Sequence, residues 1–317
     1  MWWENEGQRA LANNSVAYKE KPQMGTFMRE WLSLYESKSG ERGIFNRESA
    51  KKQAAKNGRR DAEQDFGCNP CSEIILRPYQ FCNLSEVVVR ENDTQQTLTE
   101  KVRLATILGT FQSTLTDFKY LRKIWKNNTE EERLLGVSLT GILDNQLMSG
   151  KSAHLGTNIG TTLEALKDVA INANKAMAKT LKIPQSTAIT CVKPSGTVSQ
   201  LVDSASGIHA RHNPYYIRTV RGDNKDPLTQ FMMSQGIPAE PDVMKPDSTT
   251  VFSFPMKSPM GAVTRTEMTA IEQLELWLMY QRHWCEHKPS VTISVKEEEW
   301  MDVGSWVYEH FDEVSGI

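Results

Sequence analysis

The stretch TTLEALKDVAINANKAMAKTLKIPQSTAITCVKPSGTVSQLV, Thr161–Val202, reads as a helix, a strand, a tight loop and the start of a second helix. Helical periodicity from about Thr161 to Leu181 must stop before Pro184, because proline biases the preceding residue away from helical angles. Thr187 to Val192 is a β-branched run that predicts a buried strand. Working outward, helical periodicity also covers about Glu100 to Trp125, and Thr129 to about Met148, where Thr-Glu-Glu-Glu132 has the form of a capping box. Downstream, Glu267 to about His283 predicts a helix, Ser290 to Val295 a strand, and Glu298 to about Val314 a helix. Helices and strands alternating at these lengths point to an α/β fold whose strands are mostly covered on both faces.

The chain has 317 residues, room for one large domain or two modest ones. With 39% hydrophobic and 24% charged residues the composition is globular, and no apolar run approaches the roughly 20 residues of a membrane-spanning helix. The opening MWWENEGQR lacks the features of a secretory signal, so an intracellular, cytoplasmic protein is expected. Thirty-seven Lys and Arg against 39 Asp and Glu exclude a basic protein that coats nucleic acid. Five cysteines, an odd number, argue for thiols with chemical or packing roles rather than a disulfide scaffold. Residues 1–65 form a polar, partly helical segment with apolar stretches at Ser15–Tyr18 and Met28–Leu34, and residues 66–317 form the more regular body. Between the two, KKQAAKNGRR, Lys51–Arg60, predicts a solvated helix face.

The densest chemistry lies in FGCNPCSEII, Phe66–Ile75, where Asn69, Cys71 and Glu73 occupy alternate positions. In an extended segment such residues point to one side, roughly 6.6 Å apart at about 3.3 Å per residue. Pro70 favours that reading and also suits a hairpin tip. Sulfur can carry one-electron chemistry, a carboxylate moves protons, and an amide orients hydroxyls, so the three suit a polyol. The same residues also read as ordinary turn formers around a buried thiol. Farther on, the strand ending at Val192 runs into KPSGTVSQLV, Lys193–Val202. A loop with Ser195, Gly196 and Thr197 entering a helix is a recurring phosphate cradle, although a simple helix cap has the same appearance.

Taken together, WWENEGQRALANNSVAY (Trp2–Tyr18), MREWLSLYESKSGERGIFNR (Met28–Arg47), CNPCSEI (Cys68–Ile74), FCNLSEV (Phe81–Val87) and KPSGTVSQLVDSASGIHARH (Lys193–His212) resemble the catalytic subunit of ribonucleotide reductase, most closely its class II, adenosylcobalamin-dependent type. The resemblance implies a ten-stranded α/β barrel with a finger loop through its centre. It implies that Cys71 at the finger tip becomes a thiyl radical that takes the 3′-hydrogen of the substrate. Glu73 would deprotonate the 3′-hydroxyl and Asn69 would bind ribose hydroxyls. Cys82 matches one member of the reducing cysteine pair. Ser195, Gly196, Thr197 and Val198 match the loop that binds substrate phosphates. The implied substrate is a ribonucleoside di- or triphosphate, and the implied partners are an external dithiol such as thioredoxin and a complementing reductase fragment or second copy. The family's second reducing cysteine lies well upstream of the finger, whereas no cysteine precedes Cys68 here, and the chain stops at Ile317 directly after a helix. A split or truncated reductase is therefore the expectation. The competing expectations are a catalytically silent fragment that completes a partner's barrel, and a glycyl-radical relative.

Several features carry less weight. His283 and His287, four apart, suggest one helix face, but Trp284 stands where a zinc-protease Glu belongs, so no metal is expected. Cys68 is assigned a structural or incidental role, and Cys191 and Cys285 read as core residues. Arg221-Gly-Asp223 reads as a turn. His209 and His212 suit either a ligand-facing or a surface role, and Tyr215-Tyr216 follows the phosphate loop too soon to be a radical-transfer pair.

Overall fold

The computed structural model describes residues 14–38, 43–151 and 158–317. Most of the Trp2–Tyr18 motif, and residues 39–42 of the Met28–Arg47 motif, lie outside the described residues. The chain forms an α/β structure around a parallel layer. Strand β5 (Asn83–Val88) runs parallel to β6 (Leu135–Thr140), with Leu84 opposite Gly136 and Val88 opposite Thr140. All six residues of β6 are buried. The chain around Thr190 extends the layer through a parallel bridge to Val137, and Val192 bridges to Pro289 in the same sense. Helices α3 (Gln95–Gln112), α5 (Ile159–Leu181) and α8 (Ala270–His283) pack with this layer. Val87, Val102, Leu135, Val137, Leu166 and Ile189 belong to the resulting core. Each such side chain withdrawn from water contributes roughly 1.5–3 kcal/mol.

A second core joins residues 18–44 to residues 270–317. Strands β1 (Ser15–Tyr18) and β2 (Gly43–Asn46) pair in parallel, and Ile44 exchanges backbone hydrogen bonds of 2.7 and 3.0 Å with Ile317. Helix α1 (Met24–Ser37) places Phe27 and Trp31 against Leu274 and Trp277 of α8 and Trp306 of α9 (Trp300–Glu309). Helix α2 (Arg47–Ala55) follows, its amides capped by the Asn46 side chain. Residues 66–76 then form a hairpin of two short strands, β3 (Gly67–Cys68) and β4 (Ile75–Leu76). Away from the parallel layer, β7 (Tyr215–Asp223), β8 (Ala239–Pro241) and β9 (Thr249–Lys257) form an antiparallel sheet in the order β7-β9-β8. No closed barrel is found among the described residues, whose named strands fall into four small sheets.

Several sequence expectations are corrected. The helix expected over Glu100–Trp125 ends at Gln112, and a separate helix α4 (Lys123–Glu132) follows. Thr129 therefore lies inside a helix and does not start one, and Arg133 at φ +47° closes α4. The expected continuation to Met148 is instead the strand β6. An apolar run buried on both faces satisfies helical and strand templates equally, and the sheet wins through its two neighbours. Ser290–Val295 forms no ladder, and Arg221-Gly-Asp223 ends strand β7 rather than making a turn. The basic run is not uniformly solvated either: Arg60 makes a buried ion pair with Glu132 at 3.0 Å, and Arg59 reaches the buried carboxylate of Glu286 at 2.5 Å.

Candidate functional site

The hairpin that carries the cysteine motif is closed by a β-turn. The Ser72 amide donates to the Asn69 carbonyl at 2.8 Å, Pro70 takes the position where its fixed φ is favoured, and Ser72 adopts φ +68°. The segment is thus a turn and not the extended strand that alternation required. Asn69 uses its side-chain oxygen to accept from the Ile74 amide at 3.0 Å. Cys71 sits half-buried at the tip, and Glu73 is fully buried. The hairpin is anchored from below by His287, whose Nδ1 accepts from the Ile75 amide while Nε2 faces the Leu135 carbonyl at 2.9 Å. Burial, aided by Arg60, pushes the His287 pKa down to about 3, so it stays neutral.

One ion pair joins this tip to the expected phosphate loop. Lys193 Nζ donates to Glu73 Oε1 at 3.0 Å, across 120 residues of sequence, and the Lys193 amide donates to Ser138 Oγ of β6 at 2.8 Å. Burial alone would lower the lysine pKa, but the hydrogen bond and charge of Glu73, with Cys71 adding to them, raise it overall. Glu73 Oε2 is buried and has no partner. After Lys193 the chain makes the loop Pro194–Gly196 and enters helix α6 (Thr197–Leu201). Gly196 sits at φ +48°, ψ −103°, a backbone conformation unfavourable to residues with a side chain. Ser195 is fixed on both sides: its amide donates to Ser206 Oγ at 3.0 Å, and its hydroxyl lies 3.0 Å from Thr140 Oγ1. Thr197 and Val198 form the first turn, and the Val198 amide donates to the Ser195 carbonyl at 3.0 Å.

Cys71, Ser72, Pro194, Lys288, Ser290 and Thr292 border one cavity of about 310 Å³. Asn14 and Ser15 also reach it, and the rest of its walls are mostly apolar, among them Trp31, Ile44 and Val303. Cys82 lies beneath the hairpin, where Gly136 leaves room for it: a Cβ on that glycine would come 3.2 Å from the Cys82 sulfur and 2.5 Å from Leu84. Burial and the Glu73 charge push the Cys82 thiol up. Glu86, on the same strand as Leu84, is raised to about 7 by burial, with Lys193 opposing the shift. The hairpin tip thus meets the expected phosphate-loop segment at Lys193 and Pro194: Glu73 pairs with Lys193, and Cys71 shares a cavity wall with Pro194. His283 and His287 do not share a helix face, since α8 ends at His283, which pairs with Glu164 at 2.8 Å. Cys191 and Cys285 are buried in the core as expected. Among the described residues no helix is long and apolar enough to cross a membrane.

Two lysines escaped the sequence analysis. Lys193 was legible only as the residue preceding the loop. Lys288 carried no local signal, yet it is fully buried, its Nζ lies 2.5 Å from Ser72 Oγ, and burial lowers its pKa to about 8. Below about pH 8 the lysine is charged in both folded and unfolded chains and the burial penalty is fully present. Between about 8 and 10.5 the unfolded chain holds a proton that the folded chain has released, so stability rises with pH. The drop from 10.5 to about 8 corresponds to about 3 kcal/mol, against about 1 kcal/mol for the Ser72 hydrogen bond. Lys288→Met is therefore expected to be about 2 kcal/mol more stable than the parent at pH 7 and slightly less stable at pH 10.5. Urea unfolding of both chains at the two pH values checks this, and a difference that does not change with pH rejects it.

Comparison with known proteins agrees with the motifs. An adenosylcobalamin-dependent ribonucleoside-triphosphate reductase of Euglena gracilis is 29% identical over 236 residues, covering 74% of this chain and 31% of the relative. The enzyme of the same name from Lacticaseibacillus paracasei is 28% identical over 320 residues, covering 92% of this chain and 42% of its own. The chain is similar to adenosylcobalamin-dependent ribonucleoside-triphosphate reductases. A crystal structure of a B12-dependent, class II reductase superposes with a TM-score of 0.77 over 97% of this chain and 46% of its own, at 23% identity, which establishes a shared fold. The class Id reductase α subunit of Actinobacillus ureae superposes at 0.54 with 13% identity, covering 95% of this chain and 63% of its own. No family model matches the chain. The chain spans roughly a third to two fifths of the length of these curated relatives.

Proposed function

We propose that this chain supplies the finger-loop and phosphate-loop portion of a class II ribonucleotide reductase, which converts ribonucleoside di- or triphosphates to their 2′-deoxy forms. The observation that carries the reading is the Glu73–Lys193 ion pair, which fixes a thiol-bearing tip beside the phosphate loop. Serial placement of thiol, carboxylate and loop would hold a ribose between a hydrogen-abstracting sulfur and an anchored phosphate, the geometry that converts an encounter into an intramolecular reaction. In this reading Asn69 orients ribose hydroxyls with its amide N–H groups, its oxygen being held by Ile74. Glu73 accepts the 3′-hydroxyl proton at Oε2, the atom left without a partner. Lys193 keeps the other oxygen engaged, so the carboxylate presents one defined basic atom. Cys71 exchanges hydrogen with the 3′-carbon. Ser195, Gly196, Thr197 and Val198 hold the phosphates, aided by the start of α6.

The cavity beside Cys71 fits the organic end of adenosylcobalamin. Its walls are largely apolar, and Asn14, Ser15, Ser72, Lys288, Ser290 and Thr292 add polar groups. Trp31, Ile44, Val291, Ser290 and Thr292 would hold the adenosyl group there, whose role is to supply the radical. Cys82 would deliver electrons after the 2′-hydroxyl leaves as water. Cys191 and Cys285 are enclosed in the core and Cys68 lies in the hairpin strand, so the second reducing thiol is assigned to a complementing fragment or second copy. An external dithiol such as thioredoxin would restore the pair, in a cytoplasmic setting that keeps all five thiols reduced. The ten-stranded barrel would likewise be completed by that further portion.

The test is to incubate the chain, alone and with the missing portion of a class II relative, with adenosylcobalamin, a dithiol and a ribonucleotide, and to measure deoxyribonucleotide. Product in the complemented reaction is expected. Neither product nor nucleotide binding in any combination would sink the reading.

A further inference from the structure

We propose that a second cavity, beyond α6, is a binding site for an oligophosphate anion. It has a volume of about 360 Å³, within the range of small-ligand sites, and is lined in part by Gln200, Ser206, His209, Tyr216, Arg218 and Arg265. No carboxylate lines it. Arg211 also reaches this cavity, but its guanidinium is already neutralised by Asp144 and Asp203, at 2.9 and 2.8 Å. Arg218 and Arg265 have no carboxylate partner among the described residues.

Arg218 carries the sharper signal. Its Nε is buried without a partner, and its terminal nitrogen reaches only the Tyr216 hydroxyl, at 3.5 Å. A guanidinium N–H withdrawn from water without an acceptor is unfavourable, and a phosphate oxygen is the acceptor its planar fork suits best. Arg265 is exposed beside it and adds an unpaired charge at the entrance. His209 contributes no charge: its Nε2 accepts from the Thr292 amide, so the ring is in its neutral form with Nδ1 donating to the Ser206 carbonyl. The cavity therefore offers two free guanidinium groups on neutral walls of hydroxyl, amide and imidazole.

Its position gives the anion two possible sources. Gln200 belongs to α6, and Ser206 holds the Ser195 amide, so the cavity shares a wall with the loop assigned to the substrate. The anion is either the outer phosphates of a nucleotide seated at that loop or a separate phosphate-bearing ligand. The site itself does not depend on the reductase reading.

Titration calorimetry of the full chain with inorganic tripolyphosphate, without cofactor or nucleotide, tests the site. Saturable binding that weakens as salt rises is expected. The double variant Arg218→Gln, Arg265→Gln should bind at least about tenfold more weakly, the loss expected for two charge-assisted contacts. Arg265→Glu, a change at an exposed side chain that leaves folding intact, should weaken binding by a similar factor. No saturable binding by the parent chain, or equal binding by Arg265→Glu, overturns the proposal. Repeating the titration with a ribonucleoside triphosphate present separates the sources. Mutual exclusion assigns the cavity to the outer phosphates of the nucleotide, and simultaneous binding assigns it to a separate ligand.

Discussion

Replacing Cys71 with serine is expected to reduce deoxyribonucleotide formation by roughly four orders of magnitude or more, the scale of losing a group that enters the reaction covalently. Nucleotide affinity should change by no more than about threefold. The two side chains differ by one atom and both fit the half-buried tip between Pro70 and Ser72, so the cavity shape and the Glu73–Lys193 link are retained. What is lost is the weak S–H bond: an alkoxyl radical is too high in energy to form where a thiyl radical forms. The measurement is product formation under single-turnover conditions together with equilibrium nucleotide binding, in an assembly whose parent form turns over. Serine activity within tenfold of the parent would remove the sulfur from the chemistry. A parallel loss of binding would make Cys71 a structural residue of the hairpin instead.

The separation of effects in that experiment depends on how the tip is held, which was only partly legible from the sequence. Asn69, Pro70 and Ser72 are all turn formers, and proline at the second turn position favours the β-turn observed. The alternate spacing of Asn69, Cys71 and Glu73 suggested an extended chain because periodicity considers residues without their partners. The partners here are distant. Glu73 is held by Lys193, the strand below by His287, and Ser72 by Lys288. A buried lysine looks like a surface lysine until the fold encloses it. The same reason hides Arg59 and Arg60, which the charge run placed in solvent but which pair with the buried Glu286 and Glu132.

Elements with strong local determinants were read well. Helix α5 spans Ile159–Leu181, ends before Pro184 as required, and is capped by the Asn158 side chain. Helix α8 begins with a capping box of Thr269 and Glu272, close to the expected start. By contrast, β6 was lost inside an expected helix. Its Leu135–Thr140 segment is covered on both faces, so it shows no alternation, and only its hydrogen bonds to β5 and to the chain near Thr190 decide its form.

Replacing Arg211 with methionine is expected to destabilise the chain by about 3–5 kcal/mol, the cost of leaving one member of a buried ion pair uncompensated. Arg211 Nε and Nη2 grip the two Asp144 oxygens at 2.9 Å each, and both side chains are 3% exposed. Asp144 Oδ2 also accepts from the Ala205 amide at 2.9 Å, and Arg211 reaches the carbonyl of Asp203 at 3.1 Å. The pair therefore ties the segment after α6 to the end of β6, and with it Ser206, which holds the Ser195 amide. Methionine fills much the same volume, so the loss is electrostatic and not a cavity. Replacing Asp144 with leucine in the same chain should recover more than half of the loss, because the orphaned carboxylate goes with it. Chemical denaturation of the parent, the single and the double variant measures both quantities. A single variant within about 1 kcal/mol of the parent would show that water already reaches the pair. A double variant no more stable than the single would shift the effect from charge burial to the hydrogen bonds that hold residues 203–206. In the second case the phosphate loop should loosen in both variants, and nucleotide affinity should fall with it.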